Sequence, residues 1–324
     1  MILTRTPLRI SLFGGGSDMP EFYLANVFGA AVSFAINKYV YVTVNEKFDG
    51  RTRVSYSETE NVDHPRELKH DLARGALQYF KLQGLEITSM ADIPGEGSGL
   101  GSSSAFVVGL VRALDRYIDR DNNAHPSVYA IIAYHIEREL CGHMVGKQDH
   151  YAAAYGGLHY YKFNHDETVS SQLIPMTEEL RFFLQENLTL FWTGRMRKAA
   201  AILREQAERL SAGTSKNAVE QLRDYAMMAK NMIADGAYSH LGEMMDDTWE
   251  LKKKISHVSD DELDAIYAKA KAAGARGGKI LGAGGGGFML FEADRNRQQA
   301  IEDAIGLRRV RFEVDERGSV VLHK

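Results

Sequence analysis

The chain has 324 residues, of which 44% are hydrophobic and 25% charged, and its formal net charge is −4. This composition is typical of a globular protein with a buried core, and it excludes the strongly basic balance of a nucleic-acid-binding protein. Cys141 is the only cysteine, which excludes an intrachain disulfide and a CxxC metal site and favours a reducing compartment. The first residues resemble a strand rather than a signal peptide, so we expect a cytoplasmic protein without a membrane partner.

The first half of the chain alternates predicted strands and helices. Residues from Tyr39 to Val44 alternate as in a strand, whereas apolar residues recur at helical spacing between Leu68 and Phe80. In chain order we predict a strand at 2–13, strands within 30–48, a helix within 65–83, a strand at 85–91, helices at about 104–118 and 127–141, and strands within 158–174.

Helices dominate the second half. In chain order we predict a strand at 188–192, helices at about 197–210, 216–234, 238–254 and 260–273, a strand at 288–293, a helix near 295–305 and strands within 308–323. This change predicts two α+β domains, an N-terminal one at 1–175 and a C-terminal one at 176–324.

A loop rich in glycine and serine, residues 94–104, precedes the helix predicted at about 104–118. Its alternate glycines let the backbone approach an anion, and the first N–H groups of a helix have no intrahelical partners. With the helix dipole, these amides form a candidate phosphate site, where serine hydroxyls could cap the helix, bind phosphate or reach a magnesium ion. The alternative is a flexible turn with a serine N-cap.

Two more glycine-rich loops flank this one in sequence. Residues 14–16 precede Ser17 and Asp18, and they form either a tight turn closed by Asp18 or a close approach to a sugar whose hydroxyls Asp18 binds. Residues 282–287 match GxGxxG, but the strand predicted after them excludes a dinucleotide fingerprint. Residues 142–148 are one residue short of a P-loop and end in glutamine, so any ATP is bound without a Walker motif.

Asp149 is a candidate functional carboxylate because small residues follow it at 152–154 and 156–157 and permit close packing of backbone or substrate. The alternative is an N-cap for a short helix at 150–155. His143 and His150 are seven residues apart and have no other clear ligand nearby. We therefore interpret them as surface or supporting histidines rather than as a metal site.

Taken together and in this order, the three loops resemble the three motifs of the GHMP small-molecule kinase family. The resemblance rests on residues 7–18, 94–105 and 279–287 and so extends over almost the whole chain. It implies an α+β fold with two domains, an N-terminal one similar to ribosomal protein S5 domain 2 and a C-terminal ferredoxin-like one. It also implies ATP and Mg²⁺ as cofactors.

The resemblance also implies roles for individual residues. Asp149 would contact the acceptor hydroxyl, Arg9 would lie beside that hydroxyl, and Ser103 and Glu137 would hold Mg²⁺. The residues expected to bind the ATP phosphates are Pro94, Gly95, Gly97, Ser98, Gly99, Leu100, Gly101, Ser102, Ser103 and Ser104.

Two segments, LFGGGSDMPEFY and GKQDHYAAAYGG, most resemble the bacterial branch that phosphorylates the anomeric hydroxyl of D-glycero-α-D-manno-heptose 7-phosphate. The first departs from the Gly-Glu-His-x-Asp pattern of galactokinases. A phosphorylated sugar needs a further cationic pocket, for which Lys147, Arg197 and Lys198 are candidates, although a solvated helix face is the alternative for the last two. The residues expected to contact this sugar are Gly14, Gly15, Gly16, Ser17, Asp18, Lys147, Arg197, Gly284 and Gly285.

Two other interpretations remain open. The acceptor could be another sugar, such as heptose or fucose, or the chain could be a GHMP-fold protein that binds a sugar without phosphorylating it. The presence of both Asp149 and Arg9 favours an enzyme over a binding protein. We expect a monomer or homodimer whose partner is a small phosphosugar and not a nucleic acid.

Overall fold

The structure is a computed structural model and describes residues 1–94, 97–119, 121–196 and 199–323. Its strands are β1 (Ile2–Phe13), β2 (Phe28–Glu46), β3 (Thr52–Ser55), β4 (Thr59–Val62), β5 (Leu85–Ala91), β6 (Leu158–Asn164), β7 (Val169–Leu173), β8 (Leu188–Trp192), β9 (Gly277–Ile280), β10 (Phe288–Glu292), β11 (Arg308–Val310) and β12 (Val320–His323). Its α-helices are α1 (Pro20–Tyr23), α2 (Asp71–Phe80), α3 (Ser102–Ile118), α4 (Pro126–Tyr134), α5 (Gln148–Tyr155), α6 (Glu178–Glu186), α7 (Ala199–Ser211), α8 (Lys216–Ala234), α9 (Leu241–Ile255), α10 (Asp261–Ala272) and α11 (Gln298–Ile305).

The first sheet is organised around the long strand β2. In the described part of the chain its order is β12-β1-β2-β5-β3-β4, with β6 pairing to β2 and to β7. Strand β2 pairs with β1 along one edge, while its first part pairs with β6 and its last part with β5 along the other. Helices α3 and α8 pack against β1 and β2. Strand β1 is therefore buried along most of its length, which suits its apolar sequence.

The second sheet has the order β11-β8-β10-β9. Its apolar side chains pack with those of α9 and α10 in a core that includes Trp249, Phe191 and Phe291. Helix α9 contacts β9 of this sheet and also β1 of the first. A cleft can therefore be lined from both halves of the chain.

The C-terminal residues return to the first sheet. Strand β12 pairs with β1 through Leu3–His323 and Thr4–Val321, and Val314 forms an isolated bridge to Ile36. The residues after 176 thus supply all four strands of the second sheet and one edge strand of the first. The proposed division at 175 does not separate the two sheets completely and stays a prediction.

Most predicted elements are present, and three strands, β1, β5 and β8, have the predicted bounds, as does helix α8. The helix predicted over 127–141 ends as an α-helix at Tyr134 and continues as a π-helical turn, His135–Leu140. Strands β3, β4 and β9 and helices α1 and α6 were not predicted. Among the helices in the described part of the chain, none combines the length and apolar character needed to cross a membrane.

Candidate active site

The loop at 94–104, which the sequence predicts to bind phosphate and which we call the phosphate loop, leads into the start of α3. The N-cap residue is Gly101, and the first intrahelical bond runs from Ala105 N to Gly101 O at 2.9 Å. The backbone amides of Ser102, Ser103 and Ser104 therefore open the helix as donors without intrahelical acceptors. Residues 97, 99 and 101 adopt positive φ angles of 67°, 79° and 76°, a region that favours glycine.

The third glycine-rich loop supports this phosphate loop from the second half of the chain. A Cβ atom on Gly99 would lie 2.4 Å from Leu281 O, so only glycine fits at this contact. Phe288 N donates to Ser98 O at 3.1 Å. The two loops are therefore in direct backbone contact.

Arg9 and Asp149 form a two-pronged ion pair beside the phosphate loop. Arg9 Nε donates to Asp149 Oδ1 at 2.7 Å, and Nη2 donates to Oδ2 at 2.6 Å. Arg9 Nη1 also donates to Gly99 O at 2.7 Å, and Arg9 N donates to Leu100 O at 3.1 Å. A Cβ atom on Gly101 would lie 3.3 Å from Asp149 Oδ2. The arginine thus fixes the carboxylate against the loop, with the Asp149 side chain still 28% exposed.

Asp149 lies inside the first turn of α5, whose N-cap residue is Lys147, so the alternative reading of Asp149 as an N-cap is wrong. A second carboxylate, Asp18, lies near Asp149. Asp18 Oδ1 accepts from Gly16 N at 2.9 Å, and Oδ2 accepts from Gln148 N at 3.1 Å. Burial, and then the charge of Asp149, raise the pKa of Asp18. Asp18 therefore organises the first glycine-rich loop as well as facing the cleft.

Glu137, on the π-helical turn, is a buried carboxylate near the start of α3. It accepts hydrogen bonds from Ser104 Oγ at 2.9 Å and pairs with His150 Nε2 at 2.7 Å, and its other oxygen lies 3.6 Å from His143 Nδ1. Although burial opposes ionisation, these partners lower the pKa of Glu137 to about 2. His143 also pairs with Asp71. Both histidines thus support a carboxylate.

The residue types near Glu137 suit Mg²⁺, which prefers one or two carboxylates together with phosphate oxygens and water. Glu137 is ionised, and Ser103 is the exposed member of the three serines that open α3. Within the described residues, no three His, Cys, Asp or Glu side chains form a metal-binding group. Any magnesium here would take its remaining ligands from phosphate oxygens and water.

One cleft brings most of the predicted site residues together, and we refer to it simply as the cleft. The predicted site residues that line the cleft are Arg9, Gly14, Gly15, Gly16, Asp18, Gly97, Ser98, Gly99, Gly101, Ser102, Ser103, Ser104, Glu137 and Asp149. The predicted residues that do not line it are Ser17, Pro94, Leu100, Lys147, Gly284 and Gly285. Gly95, Arg197 and Lys198 lie outside the described residues.

Lys147 is the main correction to the predicted sugar-phosphate pocket. Its ammonium donates to Glu167 O at 2.6 Å and lies 5.0 Å from the ring centre of Tyr23 and 5.3 Å from that of Tyr134. Burial lowers the pKa of this lysine. The Lys147 side chain thus packs against Tyr23 and Tyr134 and does not line the cleft.

The other excluded residues have structural roles. Ser17 is fully buried, and its Oγ lies 2.8 Å from both Gly14 O and Ala30 O, which share its one hydroxyl proton. Leu100 is a core residue. Gly285 N donates to Val258 O at 2.7 Å, which directs that part of the third loop away from the cleft.

The second half of the chain supplies cleft residues that sequence reasoning missed, above all Lys252 on α9, Lys279 on β9 and Gln206 on α7. Lys279 Nζ donates to Leu12 O at 2.8 Å, and burial lowers its pKa well below the ordinary value. The only sequence signal for Lys279 is its position just before the third loop. Lys252 and Gln206 carry no local signal.

Comparisons with known proteins found matches in both halves of the chain. Residues 69–157 match the description "GHMP kinases N terminal domain", and residues 228–308 match "GHMP kinases C terminal". A D-glycero-alpha-D-manno-heptose 7-phosphate kinase from Campylobacter jejuni is 30% identical, over 94% of this chain and 93% of its own length. A galactokinase from Pyrococcus furiosus is 26% identical, over 94% of this chain and 92% of its own length. The crystal structure of a D-glycero-D-manno-heptose 1-phosphate kinase from Bacteriodes thetaiotaomicron superposes with a TM-score of 0.82 at 25% identity, covering 100% of this chain and 99% of that one.

Proposed function

Because the chain belongs to the GHMP kinase family and is a phosphotransferase that acts on a hydroxyl group, we propose that its donor is ATP and its acceptor is D-glycero-α-D-manno-heptose 7-phosphate. The hydroxyl that receives the phosphoryl group is the anomeric one, at C1. The products are ADP and the 1,7-bisphosphate, a precursor for nucleotide-activated heptose. The α+β fold of two GHMP kinase domains predicted from the sequence is confirmed.

The observation that carries the phosphoryl-transfer step is the Arg9–Asp149 pair, held against Gly99 of the phosphate loop, whereas the choice of acceptor rests on the similarity to the heptose 7-phosphate kinase. Phosphoryl transfer depends mainly on in-line positioning and on stabilising charge, with little covalent chemistry for the protein to perform. The pair sets the acceptor hydroxyl next to the bound phosphates, which is the arrangement that a kinase needs and a sugar-binding protein does not.

In the proposed step the acceptor oxygen forms a bond to the γ-phosphorus while the bond from that phosphorus to the β,γ-bridging oxygen breaks. ADP leaves with the electron pair of the broken bond. Asp149 orients the hydroxyl and accepts its proton as the new bond forms. Arg9 keeps the carboxylate in one orientation through its two parallel hydrogen bonds.

The triphosphate binds where α3 begins. The free amides of Ser102, Ser103 and Ser104 and the partial positive charge of the helix terminus suit an anion, and the chain has no Walker lysine to assist them. Glu137 and Ser103 are the residues that would hold Mg²⁺. When bound, the ion would neutralise charge on the β- and γ-phosphates.

The acceptor sugar lies between the first loop and the helices of the second half. Gly16 and Asp18 of the first loop line the cleft together with Gln206 and Lys252 of the second half. The kinase from Campylobacter jejuni carries heptose 7-phosphate in its name, and the protein from Bacteriodes thetaiotaomicron carries heptose 1-phosphate. The position of the phosphate on the substrate is therefore the point that an assay must decide.

We would incubate the purified protein with ATP, Mg²⁺ and each of heptose 7-phosphate, heptose 1-phosphate, unphosphorylated heptose, fucose and galactose, and measure ADP release. The expected result is the highest kcat/KM with heptose 7-phosphate and a product whose new phosphorus signal in ³¹P NMR couples to the anomeric proton. Higher kcat/KM with another acceptor rejects the proposed substrate. Absence of turnover with every acceptor in the panel rejects it as well.

A further inference from the structure

The charge of Arg9 is already compensated inside the protein. All three guanidinium nitrogens are engaged: two with the carboxylate of Asp149 and the third with the carbonyl of Gly99. The pair as a whole is neutral. Phosphoryl transfer nevertheless requires positive charge where negative charge develops in the transition state.

Lys252 is a cation in the same cleft without such compensation. It extends from α9 and lines the cleft, and its Nζ donates to the neutral carbonyl of Gly282 in the third loop. Among the ion pairs of the described residues, none includes Lys252. An ammonium has three donors, so two remain for a ligand.

The surroundings of Lys252 place it near the proposed reaction centre. The charged groups that act on it are Arg9 of β1, Asp18 of the first loop and Asp149 of α5, and the buried Lys279 of β9 is a further neighbour. Burial, and then the charge of Arg9, lower the pKa of Lys252 to about 8. At neutral pH the ammonium form therefore still predominates, and an anion bound beside it would favour that form further.

We infer that Lys252 contacts the phosphoryl group during its transfer and supplies the net positive charge that the neutral Arg9–Asp149 pair does not. This rests on the proposed positions of ATP and acceptor in the cleft. The lysine keeps its proton throughout, and the bonds that form and break are those of the proposed step. A residue of the second half of the chain thereby completes a site whose other reacting groups come from the first half.

The test compares Lys252→Met with Lys254→Met, which removes an exposed lysine on the same helix. Loss of one donor to a developing oxyanion typically costs 10²- to 10³-fold in kcat. We expect a loss of about that size for Lys252→Met, with the Kd for ADP changed less than about threefold. Lys254→Met should match the wild type.

A second variant, Lys252→Arg, separates a charge role from a structural one. In the wild type, deprotonation of Lys252 in the free protein should reduce kcat/KM as pH rises through about 8. Arginine stays charged over this range, so the alkaline limb should move to higher pH in Lys252→Arg. A kcat for Lys252→Met within fivefold of the wild type would overturn the inference. So would an equal loss of ADP affinity, or an unchanged alkaline limb in Lys252→Arg.

These measurements use whichever acceptor the wild type phosphorylates. If heptose 7-phosphate is inactive but another sugar is turned over, the proposed substrate fails while the role of Lys252 is still tested. If heptose 7-phosphate is active and Lys252→Met keeps its kcat, only the role of Lys252 fails.

Discussion

A Cβ atom on Gly282 would lie 2.5 Å from the Cα atom of Gly99, so the second and third glycine-rich loops meet at these two residues. The contact joins the phosphate loop to the C-terminal half of the chain. Because neither backbone can move without displacing the other, the geometry of the phosphate loop depends on Gly282, which is 183 positions away in sequence.

We predict that Gly282→Ala weakens ADP binding by roughly tenfold or more, because a methyl group at this position must push the phosphate loop aside. Gly236→Ala is the matched control: Gly236 has a φ of +74°, close to the +68° of Gly282, but nothing lies within 4 Å of its added Cβ. Calorimetric titration of both variants checks this. Equal losses of ADP affinity would attribute the effect to backbone strain rather than to the contact between the loops.

Asp149→Asn should lower kcat by roughly 10² or more, since a positioned proton acceptor typically contributes that much. Arg9 and the loop amides remain, so ADP should bind with nearly unchanged affinity. Steady-state kinetics and an ADP titration on the same preparation measure both quantities. Unchanged turnover would remove Asp149 from the mechanism.

Gln206 is 4% exposed, lines the cleft and lies against Gly16, with its amide 2.3 Å from where a Cβ on that glycine would be. We expect Gln206→Leu to raise the KM for the acceptor about tenfold, because a sugar hydroxyl loses a buried hydrogen-bond partner. The KM for ATP should stay the same. Gln221→Leu, an exposed position on α8, is the control, and a shift in both KM values in Gln206→Leu would indicate a structural role instead.

His159 on β6 predicts a specific dependence of stability on pH. Burial lowers its pKa from 6.5 to about 4. Below pH 6.5 the unfolded chain binds a proton that the folded state does not bind until about pH 4, so stability falls as pH decreases through this window. At about 1.4 kcal/mol per pKa unit, the total loss is roughly 3 kcal/mol.

His159→Gln cannot titrate but can still hydrogen-bond to Ser171, whose hydroxyl lies 2.7 Å from His159 Nδ1. Urea unfolding at pH 7, 5.5 and 4.5 measures the difference. We expect the wild type to lose stability relative to this variant as pH falls. Parallel decreases in the two proteins would show that His159 does not titrate as its burial implies.

The sequence predicts the elements that carry a strong local pattern. Strand β1 and helix α8 have clear periodicity, and the phosphate loop combines glycines at alternate positions with a helix start. The π-helical turn at His135–Leu140 has no such signal, although it determines where Glu137 lies. Strand β12 is paired by a contact across almost the full length of the chain, which local patterns do not reveal.

The missed and misplaced cleft residues have a common physical cause. Lys147 and Asp149 are two residues apart at the start of α5, and side chains at that spacing leave a helix in different directions. Asp149 therefore faces the cleft, whereas Lys147 points away from it and donates to Glu167 O. Lys252 is the first of three consecutive lysines, and nothing in the run itself distinguishes it from the two that follow. What distinguishes Lys252 is its contact with Gly282 of the third loop, which only the folded structure reveals.

The most direct test of the account is a crystal structure with a non-hydrolysable ATP analogue, Mg²⁺ and heptose 7-phosphate. We predict β-phosphate oxygens about 3 Å from the backbone nitrogens of Ser102 to Ser104, a hydrogen-bond distance, with the sugar C1 hydroxyl beside Asp149. A triphosphate bound elsewhere, with those three amides facing only solvent, would contradict it.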